Sequence, residues 1–475
     1  MKQLLLVIGA VSLLVSARAQ QNIHHQSTQY EWPADPLVKQ KLEQWQDQKF
    51  GMIIHWGLYA VPGIIESWSL CSEDWINRDS SVSSDYSTYK KWYWGLSKKF
   101  NPQKFNPEQW ALVAANAGMK YLVFTTKHHD GFNMFDTRQS SFKITNGPFA
   151  QHPKANVAKY VFDAFRQKGM MIGAYFSKPD WHNQDYWWPY YATANRNNNY
   201  DIKKHPQKWE AYKNFTYHQI QELMTEYGSI DILWLDGGWV RPKETVNEEV
   251  LSWGAPIPEW SQDINMPKIA AMARKNQPGI LVVDRTVHGP YENYQTPEQR
   301  VPDKKIDYPW ESCMTLGTDW GYVKNQKLKS AKTVVHTLIE IVAKGGSLLL
   351  GVGPSPEGEI TGDVVEKLQQ IGGWMKQNGA VLYNTRTTDT YVDGNTYFVQ
   401  SKDGKTGYAL HLIKNEELPE TIQWEGNIPK KGSVMKSVAT GENVSWQQVN
   451  NHVVVKIPKK LKQSQPIALS FQYTK

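Results

Sequence analysis

The sequence predicts an α/β fold, a (β/α)8-like barrel followed by a C-terminal antiparallel β-sandwich domain, and three of its features lead there. Short apolar runs alternate with amphipathic helical patterns from about residue 50 to about residue 380, the order of a parallel sheet wrapped in helices. Most of those runs stop in polar or aromatic residues, and a barrel carries its chemistry at the carboxyl ends of its strands. After Asn384 the texture changes to short strand-like runs separated by turn dipeptides, the pattern of a small sandwich.

The run that organises the rest is Ser229–Val240. Ile230, Ile232, Leu233, Trp234 and Leu235 are nearly continuous, which suits a strand covered on both faces. The run ends in Asp236-Gly237-Gly238, where the glycines permit a tight turn and close approach of a ligand. An isolated Asp-Gly is an ordinary turn signal. Its weight here comes from the other runs that end in the same way.

In chain order, Met1–Ala19 reads as a secretory signal, with Lys2, an apolar core from Leu4 to Val15 and the small-x-small site Ala17-Arg18-Ala19. The mature chain is expected to start near Gln20 and to be exported, to a periplasm or to the outside. The apolar core is short for a membrane helix, and no later stretch reaches spanning length, so membrane insertion is not expected. Gly51–Ile54 is a strand running into His55-Trp56-Gly57. A helix follows from Asn106 to Ala117, with Pro107 in its first turn and Gly118 at its end. Tyr121–Thr126 is a strand leading into Lys127-His128-His129-Asp130-Gly131.

Asn156 can cap the next helix, on which Val157, Tyr160, Val161, Ala164 and Phe165 share a face before Gly169. Met170–Phe176 is a strand ending in Ser177-Lys178-Pro179-Asp180-Trp181. A helix over Pro206–Tyr227 precedes the Asp236 strand. Pro267–Asn276 is helical and Ile280–Val283 a strand ending in Asp284-Arg285, while Ala331–Ala343 is helical and Ser347–Leu350 a strand. Fewer than eight strands are clean, so irregular stretches such as Lys304–Met314 must complete the barrel. The expected division is a signal peptide over 1–19, a barrel over 20–384 and a sandwich over 385–475, a last unit of about ninety residues, within the usual domain range.

Composition narrows the function. Charged residues make up 21% and the apolar set 40% of 475 residues, a globular balance. The net charge of +7 is modest and no basic cluster is interleaved with aromatics, so nucleic acid is not expected as a partner. Cys71 and Cys313 are the only cysteines, too few for a disulfide framework. The 21 Trp and 24 Tyr supply faces that stack on the C–H faces of sugars. No signal for an oligomeric state is present.

The strand-end groups His55, Trp56, His128, His129, Asp130, Tyr175, Trp181, Asp236, Trp239 and Arg285 would face one cavity. His paired with Asp could hold a metal. However, adjacent His128 and His129 point to opposite sides if extended, and HxH or HExxH spacing is missing, so neither metal nor cofactor is expected. The other reading is a sugar pocket, where imidazoles, Arg and Tyr bond hydroxyls, Trp stacks, and two carboxylates break a glycosidic bond.

The motifs Phe50–Gly57, Lys127–Phe132, Ala174–Ser177 with Asp180-Trp181, Trp234–Gly238, Asp284-Arg285, Thr296-Pro297-Glu298, Trp310–Cys313, Trp320-Gly321-Tyr322 and Leu348–Pro354 follow one another in this order. With them the chain resembles glycoside hydrolase family 29, the retaining α-L-fucosidases, over nearly its whole mature length. The resemblance implies Asp236 as the nucleophile and Glu298 as the acid/base; Glu311, which also follows the Arg285 strand and sits beside an aromatic residue, is the alternative. It also implies His55, His128, His129 and Tyr175 as hydroxyl-binding groups, Arg285 beside the acid/base loop, and Glu66 and Trp68 as a carboxylate and an aromatic of the sugar pocket. The substrate it implies is a fucosylated glycan, cleaved from its end with no cofactor. An α-L-galactosidase on the same scaffold, or a fucose-binding protein without catalysis, are the alternatives.

Overall fold

The computed structural model describes residues 27–414, 418–461 and 465–473, and the expected signal segment lies outside them. Seven parallel strands form one sheet: β1 Phe50–Ile54, β2 Tyr121–Lys127, β3 Met171–Ser177, β4 Ile232–Asp236, β5 Leu281–Asp284, β6 Glu311–Thr315 and β7 Ser347–Val352, in the order β5-β4-β3-β2-β1-β7-β6. Among the described residues the helices are α1 Pro36–Gln48, α2 Tyr86–Gly95, α3 Pro107–Asn116, α4 Val157–Gln167, α5 Pro206–Glu226, α6 Glu248–Ser252, α7 Met266–Asn276, α8 Ala331–Ala343 and α9 Gly362–Asn378. None of these helices is long and apolar enough to cross a membrane.

Both faces of the strands are covered, which is why their sequences are apolar without alternation. Met52, Ile54, Leu122, Phe124, Leu233 and Leu235 pack outward in the layer shared with the helices. Ile53, Val123, Ile232, Leu281 and Leu349 turn inward, into a second core. Helix α1 closes the floor of that inner core. Its Val38, Leu42 and Trp45 join it, and the Trp45 ring stacks on Tyr294 at 3.9 Å.

Local chemistry sets the helix ends. The side chain of Asn106 accepts from Gln109 N at 3.0 Å to cap α3, and Ser330 caps α8 through Thr333 N at 3.0 Å. Asn156 stands at the start of α4 but makes no capping bond; its Oδ1 accepts from Asp136 N instead.

The ring of strands is completed without a regular eighth strand. After β5 the chain doubles back, with Asp284 N donating to Tyr291 O (2.8 Å) and Asn293 N to Val282 O (2.9 Å). It then runs parallel to β6, with Glu311 N donating to Gln295 O (2.8 Å), Cys313 N to Pro297 O (3.1 Å) and Gln299 N to Cys313 O (2.9 Å). The irregular stave is therefore 291–299, whereas the expected one, Lys304–Met314, supplies most of β6.

The sandwich begins with β8 Thr385–Asp393, followed by β9 Thr396–Ser401, β10 Thr406–His411, β11 Thr421–Glu425, β12 Met435–Ser437, β13 Asn443–Val444, β14 Trp446–Val449, β15 His452–Lys456 and β16 Ile467–Gln472. A six-stranded sheet (β13-β12-β16-β10-β9-β8) faces a three-stranded one (β11-β15-β14). Phe398, Ala409 and Phe471 from the first bury against Trp424, Val453 and Val455 from the second. Trp374 on α9 donates its indole N–H to Pro466 O at 2.8 Å, tying the sandwich to the barrel's last helix.

Candidate active site

Asp236 is the last residue of β4, and the turn after it needs both glycines. Gly237 has φ +90°, and a Cβ there would lie 2.3 Å from Pro179 Cδ; at Gly238 it would lie 1.9 Å from Thr286 Oγ1. The carboxylate is held firmly. Oδ1 accepts from Gly237 N and from Arg285 Nη1, each at 2.9 Å, and Oδ2 accepts from Tyr175 Oη at 2.7 Å with His129 Nε2 3.8 Å away.

Arg285, just past β5, spans the site. Its Nη2 donates to Glu298 Oε2 at 2.9 Å and its Nε to Thr296 Oγ1 at 2.9 Å. Burial opposes the guanidinium charge, but Asp236, Cys313 and Glu298 outweigh it and hold the pKa above the ordinary arginine value. One guanidinium thus ties the strand that carries Asp236 to the stave that carries Glu298. Glu298 is the more open carboxyl, its side chain 25% exposed against 13% for Asp236.

Three imidazoles complete the floor. His55 leaves the end of β1, and His128 and His129 follow β2. The chain turns there, with Gly131 N donating to His128 O at 3.1 Å and Gly131 at φ +78°. Both rings consequently face the cavity, 4.3 Å apart, which corrects the expectation that they diverge. Their Nδ1 atoms meet serine hydroxyls, His128 with Ser67 Oγ at 2.5 Å and His129 with Ser177 Oγ, so Nε2 is the atom left to the cavity. Burial lowers the pKa of all three, that of His128 to about 4, so at neutral pH they are uncharged hydrogen-bonding groups. The same turn brings ligand atoms of His128, His129 and Asp236 within 4.8 Å of one another, a spacing at which a cation could bind.

The walls come from loops. Glu66 begins a single 3-10 turn (Ser67–Leu70) and its Oε1 accepts from Gly321 N at 2.8 Å; burial pushes its pKa up to about 7. Trp68 and Trp239 line the cavity, with their ring centroids 5.7 Å apart.

Four expected residues lie elsewhere. Asp130 turns away from the cavity, its Oδ2 accepting from Tyr93 Oη at 2.8 Å and its Oδ1 from Phe132 N at 3.0 Å. Trp56 alternates with His55 and so points outward, where it packs among Phe100, Phe105 and Trp110 and donates to Ser355 O at 2.9 Å. Trp181 sits behind the wall, stacked on Trp187 at 5.0 Å and touching Trp68 and His129 from the rear. Glu311 is fully buried within the barrel, accepting from Tyr121 Oη (2.7 Å) and Trp234 Nε1 (3.1 Å), and burial raises its pKa to about 7.

Four lining residues had no assigned role: Ile53, Trp234, Arg196 and Trp320. The first two are inward strand residues. Trp320 lies 5.2 Å from His55 ring to ring and belongs to a motif that already stood out, so proximity to that motif was the available signal. Arg196 comes from an Asn-rich loop with no periodicity. Glu73 grips its Nε (2.7 Å) and Nη2 (2.5 Å), and its guanidinium lies 4.8 Å over Trp68 and 5.1 Å over Trp239.

The sequence and the fold of this chain have counterparts among known proteins. Residues 17–380 match the family model Alpha-L-fucosidase. The plasma alpha-L-fucosidase of Pongo abelii is 26% identical over 454 residues, 92% of this chain and 90% of that protein. The tissue alpha-L-fucosidase of Bos taurus is 26% identical over 434 residues, covering 86% and 83%. Among solved structures, alpha-L-fucosidase isoenzyme 1 from Paenibacillus thiaminolyticus superposes with a TM-score of 0.73 at 28% identity, over 92% of this chain and 100% of that one. A family match over residues 17–380, with the fold shared over 92% of the chain, places it in the alpha-L-fucosidase family of glycoside hydrolases.

Proposed function

We propose that this chain removes terminal α-L-fucosyl residues from glycans by double displacement with retention of configuration, Asp236 being the nucleophile and Glu298 the acid/base. The observation that carries the reading is the shared guanidinium, whose two terminal nitrogens each bond one of the two carboxyls at 2.9 Å. A gap set by the width of one guanidinium supports the close pairing of retaining enzymes, about 5–5.5 Å, over the 6.5–9.5 Å that an inverting enzyme needs for water.

In the first step an Asp236 oxygen bonds to the anomeric carbon, the bond from that carbon to the leaving oxygen breaks, and the Glu298 proton passes to that oxygen. The electron pair of the broken bond leaves with it. In the second step water adds to the anomeric carbon, its proton returns to Glu298, and the bond to Asp236 breaks. Glu298 thus gives a proton in the first step and takes one back in the second, so one residue serves as acid and then as base. The neutral His55, His128 and His129 and the Tyr175 hydroxyl are suited to sugar hydroxyls, and Trp68 and Trp239 to the ring's C–H faces.

The leader Met1–Ala19 supports export, with the barrel over 20–384 and the sandwich over 385–475 as two units of the mature chain. Time-resolved NMR of an aryl α-L-fucoside tests the mechanism: α-fucose is expected as the first sugar seen, and β-fucose first would remove Asp236 from its role.

A further inference from the structure

The geometry points to the N-terminal segment Ser27–Tyr30 as a clasp that positions Glu298, acting through the side chain of Gln295. The inference rests on Glu298 being the acid/base. Gln295 lies in the irregular stave three residues before Glu298, and its backbone is tied to the chain around β6 by bonds to Pro309 O (3.1 Å) and from Glu311 N (2.8 Å). Its buried side chain meets the N-terminal segment. Oε1 accepts from Ser27 N at 3.1 Å, and Nε2 donates to Gln29 O at 2.9 Å. Tyr308 Oη sits at the same junction, 3.1 Å from Gln295 Oε1 and against Ser27 O.

A second grip lies beside the first. Tyr30 donates its hydroxyl to Asn293 O at 2.8 Å and stacks on Tyr308 at 4.9 Å. Ser27 Oγ donates to Glu249 Oε2 at 2.7 Å, and the other oxygen of Glu249 meets His288 Nε2 at 3.0 Å. His288 Nδ1 meets Glu292 Oε2 at 2.5 Å, and Glu292 Oε1 accepts from Thr286 N at 2.8 Å. The stave is therefore held at 292, 293 and 295 by groups that do not line the cavity.

This bracing answers a need of the local backbone. A regular strand is fixed by a ladder along both edges, whereas the stave pairs with β6 through isolated bridges only. Gln299, next to Glu298, has φ +53°, a left-handed conformation that an ordinary side chain adopts only when its surroundings impose it. A general acid works only within hydrogen-bond reach of the leaving oxygen, so a stave that drifts costs acid catalysis first. Gln295 is thus a positioning residue, and cleavage of the leader after Ala19 would leave the clasp on the mature chain.

The test is kcat/KM for a series of aryl α-L-fucosides, from good to poor leaving phenols, measured on the mature enzyme and on Gln295→Ala well below the melting temperature of each. The expected result is a loss about tenfold greater on the poorest leaving group than on the best, a scale set by small misplacements of a reacting group. A uniform loss, or none, would overturn the clasp, because a merely structural contact has no reason to follow the leaving group. If Gln295→Ala does not fold, Tyr30→Phe removes the bond to Asn293 while keeping the stack, and carries the same test with a smaller ratio. Glu298→Ala run in parallel separates the two readings. If it too is flat across the series, the acid/base assignment fails and the clasp with it; if it is steep while the clasp variants are flat, the clasp alone fails.

Discussion

Asp236 and Glu298 are bonded to the same arginine, yet they stand on different kinds of backbone. Asp236 closes a strand whose neighbours on both sides belong to the same parallel sheet, and its oxygens are met by a backbone amide, a tyrosine and the arginine. Glu298 rides on a stave that replaces a strand, touches the sheet through isolated bridges and is braced from outside by the N-terminal segment. In the proposed mechanism a nucleophile attacks one carbon from one side and gains from rigidity, which suits Asp236. An acid/base meets a leaving oxygen and then a water, which suits the less regular backbone under Glu298.

The largest expected effects break this pair apart. Asp236→Ala should lose activity on every fucoside, on the order of 10⁴-fold or more, as removal of a nucleophile does. Any azide product should then be the β-fucosyl azide of direct attack. Glu298→Ala should lose about 10²–10⁴-fold on natural disaccharides, the usual worth of a general acid. It should spare the first step on an aryl fucoside with a good leaving group, and azide should speed turnover and give the α-fucosyl azide. Kinetics on the two substrate types and product NMR read both outcomes. Glu311→Ala should show neither signature. It should instead lower stability by about 1–3 kcal/mol, since Tyr121 and Trp234 lose a buried partner. Azide rescue of Glu311→Ala and not of Glu298→Ala would reverse the assignment.

The same contrast governs what the sequence made legible. Regular elements with two buried faces leave an apolar run, and β1 to β5 and β7 are legible with errors of a residue or two. His55, Tyr175, Asp236 and Arg285 were readable with them, because strand ends are marked by where the run stops. Trp56 shares a strand end with His55 but not a face, so alternation takes it out of the cavity. Alternation fails at His128 and His129, because the chain turns between them and Gly131. The stave could not be read as an element, because its shape is set by partners distant in sequence, Ser27 and Glu311 among them. Helix α1 stands outside the expected elements: Val38, Leu42 and Trp45 recur at helical spacing, but the segment is otherwise largely polar and precedes the alternation of strands and helices.

A smaller effect sharpens the comparison through pH. Burial works against the charge on His288, but bonds and charges from Glu249 and Glu292 outweigh it and raise its pKa from 6.5 to about 9. A pKa raised by folding stabilises the protein fully below the unfolded value, and that contribution disappears as pH rises through about 9. Its size is roughly 2 kcal/mol, because burial also pushes the Glu292 carboxyl up and returns part of the gain. The melting temperature of the native chain should therefore exceed that of His288→Gln by several degrees at pH 6 and approach it by pH 10. A gap that is constant across this range would mean that His288 braces the stave without its charge.

The smallest expected effect is none. His128, His129 and Asp236 bring three potential ligand atoms within 4.8 Å of one another, and uncharged imidazoles with a carboxylate are a common metal set. Two features of the same floor argue against a cation there. The Arg285 guanidinium is bonded to Asp236 at 2.9 Å, so an incoming ion would meet a fixed positive charge on its own carboxylate. Tyr175 donates to the other oxygen of that carboxylate at 2.7 Å, so a metal would have to displace a hydrogen bond on either side. The proposed hydroxyl-binding floor needs no such displacement, since neutral Nε2 atoms and the Tyr175 oxygen can bond sugar hydroxyls where they stand. Dialysis against EDTA should leave kcat and KM unchanged, and added zinc or manganese should restore nothing because nothing was lost. Activity that falls on chelation and returns with one divalent ion would show that Arg285 can be pushed aside, and the floor would then have to be read as a metal site shared between strand ends.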